Sequence, residues 1–125
     1  MSKYNISEAE WKVMECLWKN DSLTLKQISE ELKDTKWSYT TIRTMVTRLM
    51  EKGAIGADKS STSNFKYYAL APEKECRLEE TRSFLKRVFG GSISTMVATM
   101  AKQETLSKEE VAELKKIIEN MEGDQ

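Results

Sequence analysis

Residues 37–53 read WSYTTIRTMVTRLMEKG, and the two faces of the helix they would form obey different rules. Ile42, Met45 and Leu49 recur at i, i+3 and i+7 and make an apolar stripe. Thr40, Arg43, Thr44, Thr47 and Glu51 recur at helical spacing on another face. Surface helix faces are usually filled with Lys, Glu and Gln. Threonine is β-branched and lowers helix propensity slightly, so something other than helix stability selects it here. Short hydroxyls beside Arg suit the major groove of DNA: Arg forks onto guanine, and Thr bonds base edges or phosphates or lays its methyl on a thymine methyl. Taken alone, the segment is equally an ordinary amphipathic helix with solvated threonines.

The surroundings tip that balance. The chain has 125 residues, 39% of them hydrophobic and 32% charged, which bounds it to one domain, or a small domain with an appendage that needs a partner. No apolar run is long enough to span a bilayer and the N-terminus lacks a signal-peptide core, so a soluble cytoplasmic protein is expected. Cys16 and Cys76 lie far apart in no paired motif, which favours reduced thiols. There is no histidine, and no phosphate-binding or nucleophile motif is present. No catalytic activity, cofactor or metal site is expected. Net charge is zero, yet from Lys36 to Leu70 six basic residues (Lys36, Arg43, Arg48, Lys52, Lys59, Lys66) face two acids (Glu51, Asp58), a local charge of +4. A basic stripe in a neutral protein still holds DNA, because the electrostatic footprint is local.

Three helices are signalled before that stripe ends. Ser7 and Glu10 form a capping box with Ile6 and Trp11 at the staple positions; Thr24 and Gln27 repeat the device with Leu23 and Ile28. The third helix begins after Ser38 as N-cap and stops at Gly53. The short link Lys33–Trp37 suits the steep crossing of a helix-turn-helix, with Trp37 packing at the turn. Beyond Gly53 the period becomes alternating: residues 54–58 and 65–70 read as two strands joined by a polar tip, KSSTSN from Lys59 to Asn64. A hairpin after a recognition helix is the wing of a winged helix. The predicted fold is mainly α with a small β-hairpin wing: a winged helix-turn-helix domain over residues 1–71, then a helical dimerisation region over 72–125. Pro72 fits a first helical position, and Gly90-Gly91 ends that helix. The tail holds too few large apolar groups to close a core alone, whereas two copies could interlock. Phe84, Leu85, Val88, Met96, Met100, Leu114 and Ile117 are the candidate dimer contacts. The candidate DNA contacts are Ser38, Thr40, Thr41, Arg43, Thr44, Thr47, Arg48, Lys52, Lys59 and Lys66.

Five blocks together resemble the penicillinase-repressor (BlaI/MecI/CopY) family of winged-helix regulators: ISEAEWKVMECLW, WSYTTIRTMVTRLMEKGAIG, KYYALAPEKEC, SFLKRVFGGS and LSKEEVAELKKII. The resemblance spans essentially the whole chain. It implies a homodimeric transcriptional repressor whose winged helix binds palindromic double-stranded operator DNA. It also implies a sensor protease system as a candidate partner, since antibiotic-responsive relatives are cut at an Asn-Phe bond whose place is held here by Thr99-Met100. The change of residues argues against induction by that route. The copper-responsive branch binds metal through clustered C-terminal cysteines, and this sequence has none after Cys76. At Thr40 many relatives carry Lys, which implies one contact fewer or an altered operator preference. Two other readings stand beside repression: a winged-helix protein-interaction module, and a small-molecule-responsive repressor. The Thr and Arg face disfavours the first, because protein interfaces draw more on Trp, Leu and Met.

Overall fold

The computed structural model describes residues 3–103 and 105–123. In chain order the elements are α1 (Glu8–Lys19), β1 (Leu23–Thr24), α2 (Leu25–Glu31), a 3-10 turn (Lys33–Thr35), α3 (Tyr39–Glu51), β2 (Ile55–Asp58), β3 (Lys66–Ala69), α4 (Glu73–Phe89), α5 (Ile93–Lys102) and α6 (Lys108–Gly123). The chain falls into two compact units, Met1–Ser83 and Phe84–Gln125.

Both predicted capping boxes of the first unit form in full, around Ser7 and Glu10 and around Thr24 and Gln27. Each satisfies amides that a helix start leaves without an intrahelical partner. Ser38 Oγ caps α3 by accepting from the Thr41 amide at 3.1 Å. At the other end Gly53 takes φ +80°, the Gly53 amide donates to Met50 and the Ala54 amide to Leu49. That pair of bonds is a Schellman stop, and it needs the left-handed backbone that glycine adopts without penalty. One face of α3 then supplies Ile42, Met45, Val46 and Leu49 to a core completed by Val13, Met14 and Leu17 of α1, Ile28 of α2 and Ile55 of β2. Burying each such side chain contributes roughly 1.5–3 kcal/mol.

The sheet has three strands in the order β1-β3-β2, all antiparallel. Sequence reading predicts two, because a two-residue strand is too short to show alternation. In β3 Tyr67 and Ala69 pack on the core, while Lys66 and the following Leu70 are exposed. Gly56 lies opposite Tyr68, and a Cβ there would meet the tyrosine ring at 2.6 Å. The link into α3 also differs from expectation. It closes through the 3-10 turn and Lys36 at φ 62°, a left-handed position occupied by a side chain that has to bear it. Trp37 packs against the core as predicted.

Helix α4 starts at Glu73, one residue later than the Pro72 position expected, with the Pro72 carbonyl accepting from the Cys76 amide. Its first turns belong to the winged-helix unit. Cys76 is buried in the core, Trp18 Nε1 donates to the Ala71 carbonyl at 2.8 Å, and Arg77 lies over both Trp11 and Trp18 while bridging Glu73. Burial pushes the Cys16 thiol up to about 11, and its Sγ donates to the Lys12 carbonyl, so it behaves as a small core residue. In the second unit Gly90 and Gly91, both at positive φ, end α4, and Ser92 and Ser107 cap the helices that follow. Neither α5 nor α6 contains a buried residue.

Candidate nucleic-acid interface

The core stripe of α3 fixes which residues face outward. Thr40, Thr41, Arg43, Thr44, Thr47 and Arg48 are all exposed, on the side away from Ile42, Val46 and Leu49. Ser38 sits at the helix mouth, its Oγ 3.0 Å from Thr41 Oγ1. Two threonines have already committed their protons: Thr44 Oγ1 donates to the Thr40 carbonyl at 3.0 Å and Thr47 Oγ1 to the Arg43 carbonyl at 2.9 Å. A hydroxyl whose proton is spent on its own helix presents lone pairs and a methyl to a ligand. The charged donors on this face are the guanidinium groups of Arg43 and Arg48, with the hydroxyls of Thr40 and of the Ser38–Thr41 pair beside them. Such a surface can donate to guanine O6 and N7, accept from an adenine or cytosine amino group, and pack a methyl against thymine.

The wing stands beside this face. Lys66 is exposed and pairs in register with Asp58 on one side and Thr24 on the other. Asp58 turns the tip by accepting the Ser60 amide at 2.9 Å, and that hydrogen bond holds its carboxyl below the ordinary value. Lys59 Nζ lies 5.6 Å from the centroid of Phe65, which keeps the tip cation near the strand. Between wing and helix lies an open cleft of about 300 Å³ whose walls include Lys26, Tyr39, Arg43, Thr62, Asn64 and Tyr67. Hydroxyls, an amide and two cations on facing walls match the phosphodiester chain, which offers only acceptors. Thr62 and Asn64 belong to the polar tip read from the sequence, whereas sequence reading overlooked Lys26 and Tyr39. The available signal was Tyr39, an aromatic at the first position of a helix whose apolar stripe begins elsewhere, and it is 51% exposed.

Lys52, a candidate DNA contact, has its ammonium at 2.5 Å from Glu10 Oε1 and 2.8 Å from the Asn5 carbonyl. Charge counting along the sequence could not see that its partner lies 42 residues earlier. Among the candidate dimer contacts, Phe84, Val88, Met100 and Ile117 are exposed and Met96 and Leu114 half-buried, whereas Leu85 is buried within the single chain and has no surface to offer. Phe84 and Phe89 meet edge to face at 5.9 Å. Thr99 and Met100 are exposed, but their peptide bond lies inside α5 and Thr99 Oγ1 donates to the Thr95 carbonyl. A protease that takes an extended strand would have to unwind that helix first.

The model of the Penicillinase repressor family matches residues 6–120. The chain belongs to this family. It is 36% identical over 116 residues to the methicillin resistance regulatory protein MecI of Staphylococcus aureus strain N315, covering 92% of this chain and 94% of that protein. It is likewise 36% identical over 115 residues to the penicillinase repressor of Bacillus licheniformis, covering 91% and 89%. Among solved structures, the DNA-binding domain of the repressor BlaI aligns with a TM-score of 0.53 at 36% identity, covering 60% of this chain and 93% of that domain. No helix among the described residues is long and apolar enough to cross a membrane.

Proposed function

We propose that this repressor works as a homodimer in the cytoplasm, each protomer placing α3 in the major groove of one half of a palindromic operator, with the wing on the adjacent backbone. The chain is a DNA-binding transcriptional repressor of the BlaI/MecI type. The observation that carries the detailed assignment is the outward face of α3, where the exposed cations Arg43 and Arg48 stand beside Thr44 and Thr47, whose protons are already bonded to the helix. Arg43 reads a base edge; Lys59 and Lys66 neutralise phosphates. Ser38, Thr40 and Thr41 sit where the helix mouth meets the sugar-phosphate chain.

A duplex selected from a random pool by the wild-type protein tests the assignment. Arg43→Ala should cost about 1–3 kcal/mol per half-site and relax base preference, whereas Lys59→Ala should weaken every sequence alike and reduce the salt slope by about one unit. Equal losses on selected and random DNA for Arg43→Ala would reverse the roles.

The dimer is supported by the apolar groups of the second unit, Ile93, Met100, Ile117, Ile118 and Met121, which stand exposed among the described residues. Induction then acts by loosening the dimer: displacing or cutting α5 removes the packing of Met96 and Met100, and the operator is released without any change at the wing. Incubation with an activated sensor protease and mapping of fragments near Thr99-Met100 checks the proteolytic route. An intact chain that leaves its operator would assign induction to a ligand or partner instead.

A further inference from the structure

Lys52 is the residue that closes α3, and its side chain reaches back to the entry of α1. Glu10 Oε1 accepts that ammonium and also the Ser7 amide at 3.0 Å, so the same oxygen completes the capping box of α1. Glu10 is 3% exposed and the Lys52 side chain 29%, so the carboxylate is shielded and the lysine half-buried against it. Two of the three ammonium protons are used, on Glu10 and on the Asn5 carbonyl. We propose that Lys52 and Glu10 form a latch that sets the pose of α3, making Lys52 a positioning residue for sequence discrimination and not a phosphate ligand. The inference rests on the DNA-reading role of α3 set out above.

The physical case turns on direction. Ile42, Met45, Val46 and Leu49 hold α3 to the core, but apolar burial is non-directional. A hydrogen-bonded ion pair constrains angle as well as distance. Arg43 lies nine residues before Lys52, roughly 13 Å along the axis at about 1.5 Å per residue, so a tilt of about 5° at Lys52 moves Arg43 by about 1 Å. Hydrogen bonds to base edges weaken over a few tenths of an ångström, while a charge near a phosphate hardly registers such a shift. Losing the latch should therefore blur sequence reading more than it weakens general attraction to DNA. Burial by itself would raise the Glu10 carboxyl; the hydrogen bond from Lys52, the Ser7 amide and the Lys52 charge outweigh it and hold the group ionised, below its ordinary value. A cation neutralised by a buried carboxylate adds little to counterion release.

The full-length chain is tested on the duplex it selects from a random pool and on a scrambled duplex, after melting curves show each variant folded at the assay temperature. Glu10→Gln and Lys52→Met should each lower affinity for the selected duplex by about 5-fold while leaving the scrambled duplex and the salt slope unchanged, with the double variant no worse than the poorer single one. Lys52→Arg, which can keep the bridge, should restore most of the discrimination. If Lys52→Met weakens both duplexes alike and the salt slope falls by about one unit while Glu10→Gln is neutral, Lys52 is a phosphate ligand and the latch is wrong. Lower melting temperatures with unchanged discrimination would also overturn it, leaving a purely structural ion pair. A wild-type chain that selects no duplex would strike the DNA-reading role itself, before any variant is made.

Discussion

The two units of this chain use the same helix signals and end in opposite states of burial. Ser7, Thr24 and Ser38 start helices in the first unit as Ser92 and Ser107 do in the second. In the first unit the apolar stripes meet one another, and Met14, Ile28, Ile42 and Leu49 are wholly buried. In the second, Ile117 is 55% and Met121 63% exposed, and Leu85 is the one apolar side chain buried among its described residues. Caps and periodicity decide that a segment is helical; they do not decide whether its apolar face finds an interior. A stripe that finds none within its own chain needs another surface, and for this repressor the second copy is the surface proposed.

The largest expected effect comes from removing the second unit. A chain ending at Ser83 keeps Cys76, Trp18 and Arg77 in place and should melt cooperatively as a monomer. On a duplex with two half-sites it should bind about 10² to 10⁴ times more weakly than the full chain, because linkage supplies the effective concentration for the second contact. Sedimentation and titration check both halves of the expectation. A fragment that stays dimeric would break the comparison, since the first unit would then hold a dimer surface of its own.

Point substitutions probe the same contrast less drastically. Leu49→Ala, at a wholly buried site, should cost about 2–5 kcal/mol whatever the protein concentration. Ile117→Ala should leave the unfolding of the first unit unchanged and shift only a concentration-dependent transition. Denaturant melts at two protein concentrations separate the cases, and an Ile117 variant that destabilises both transitions equally would show the units to be one cooperative body.

The first unit was the more legible of the two in the sequence, for a physical reason. Its helix starts, the Gly53 stop and the wing strands are written in local residues, and local chemistry is what a sequence displays. The partners of Lys52 were not legible, because Glu10 and Asn5 are distant in the chain. The strand at Leu23–Thr24 was missed because it exists through pairing with Lys66 and Tyr67. Thr44 and Thr47 were recognised as unusual, yet the direction of their protons needed the helix carbonyls in place. The Arg77 contact with Trp11 and Trp18 likewise joins residues that no periodicity links.

The buried pair gives a signed pH prediction of intermediate size. In the wild type the Glu10 carboxyl is depressed, so its contribution to stability is present above the ordinary carboxylate range and is lost as the pH falls through the folded-state value. Lys52→Met leaves a carboxylate buried without its cation, which should cost about 2–3 kcal/mol near neutrality. Burial then raises Glu10, and the sign reverses: the variant should recover part of its stability as the pH drops below about 5. Chemical melts of the two proteins from pH 7 to pH 4 should converge. Parallel curves would mean that Glu10 does not feel Lys52.

The smallest effect sharpens the comparison at the level of backbone strain. The second unit places glycine at both of its described left-handed positions, Gly90 and Gly91, whereas the turn before α3 asks Lys36 to hold φ 62°. That conformation brings Cβ towards a neighbouring carbonyl, a cost glycine does not bear. Lys36→Gly should stabilise the first unit by about 0.5–1 kcal/mol, because relief of the turn exceeds the added freedom of the unfolded chain. The same substitution removes a cation from the basic stripe, so DNA binding reads out a second property of the residue. If melting improves and the salt slope is unchanged, Lys36 serves the turn alone. If melting improves and the slope falls by about one unit, the strained turn holds a phosphate contact in place, which would explain why a side chain is kept where glycine fits better. A destabilised Lys36→Gly protein would mean that the backbone carries no strain there and that the contrast between the two units is one of burial only.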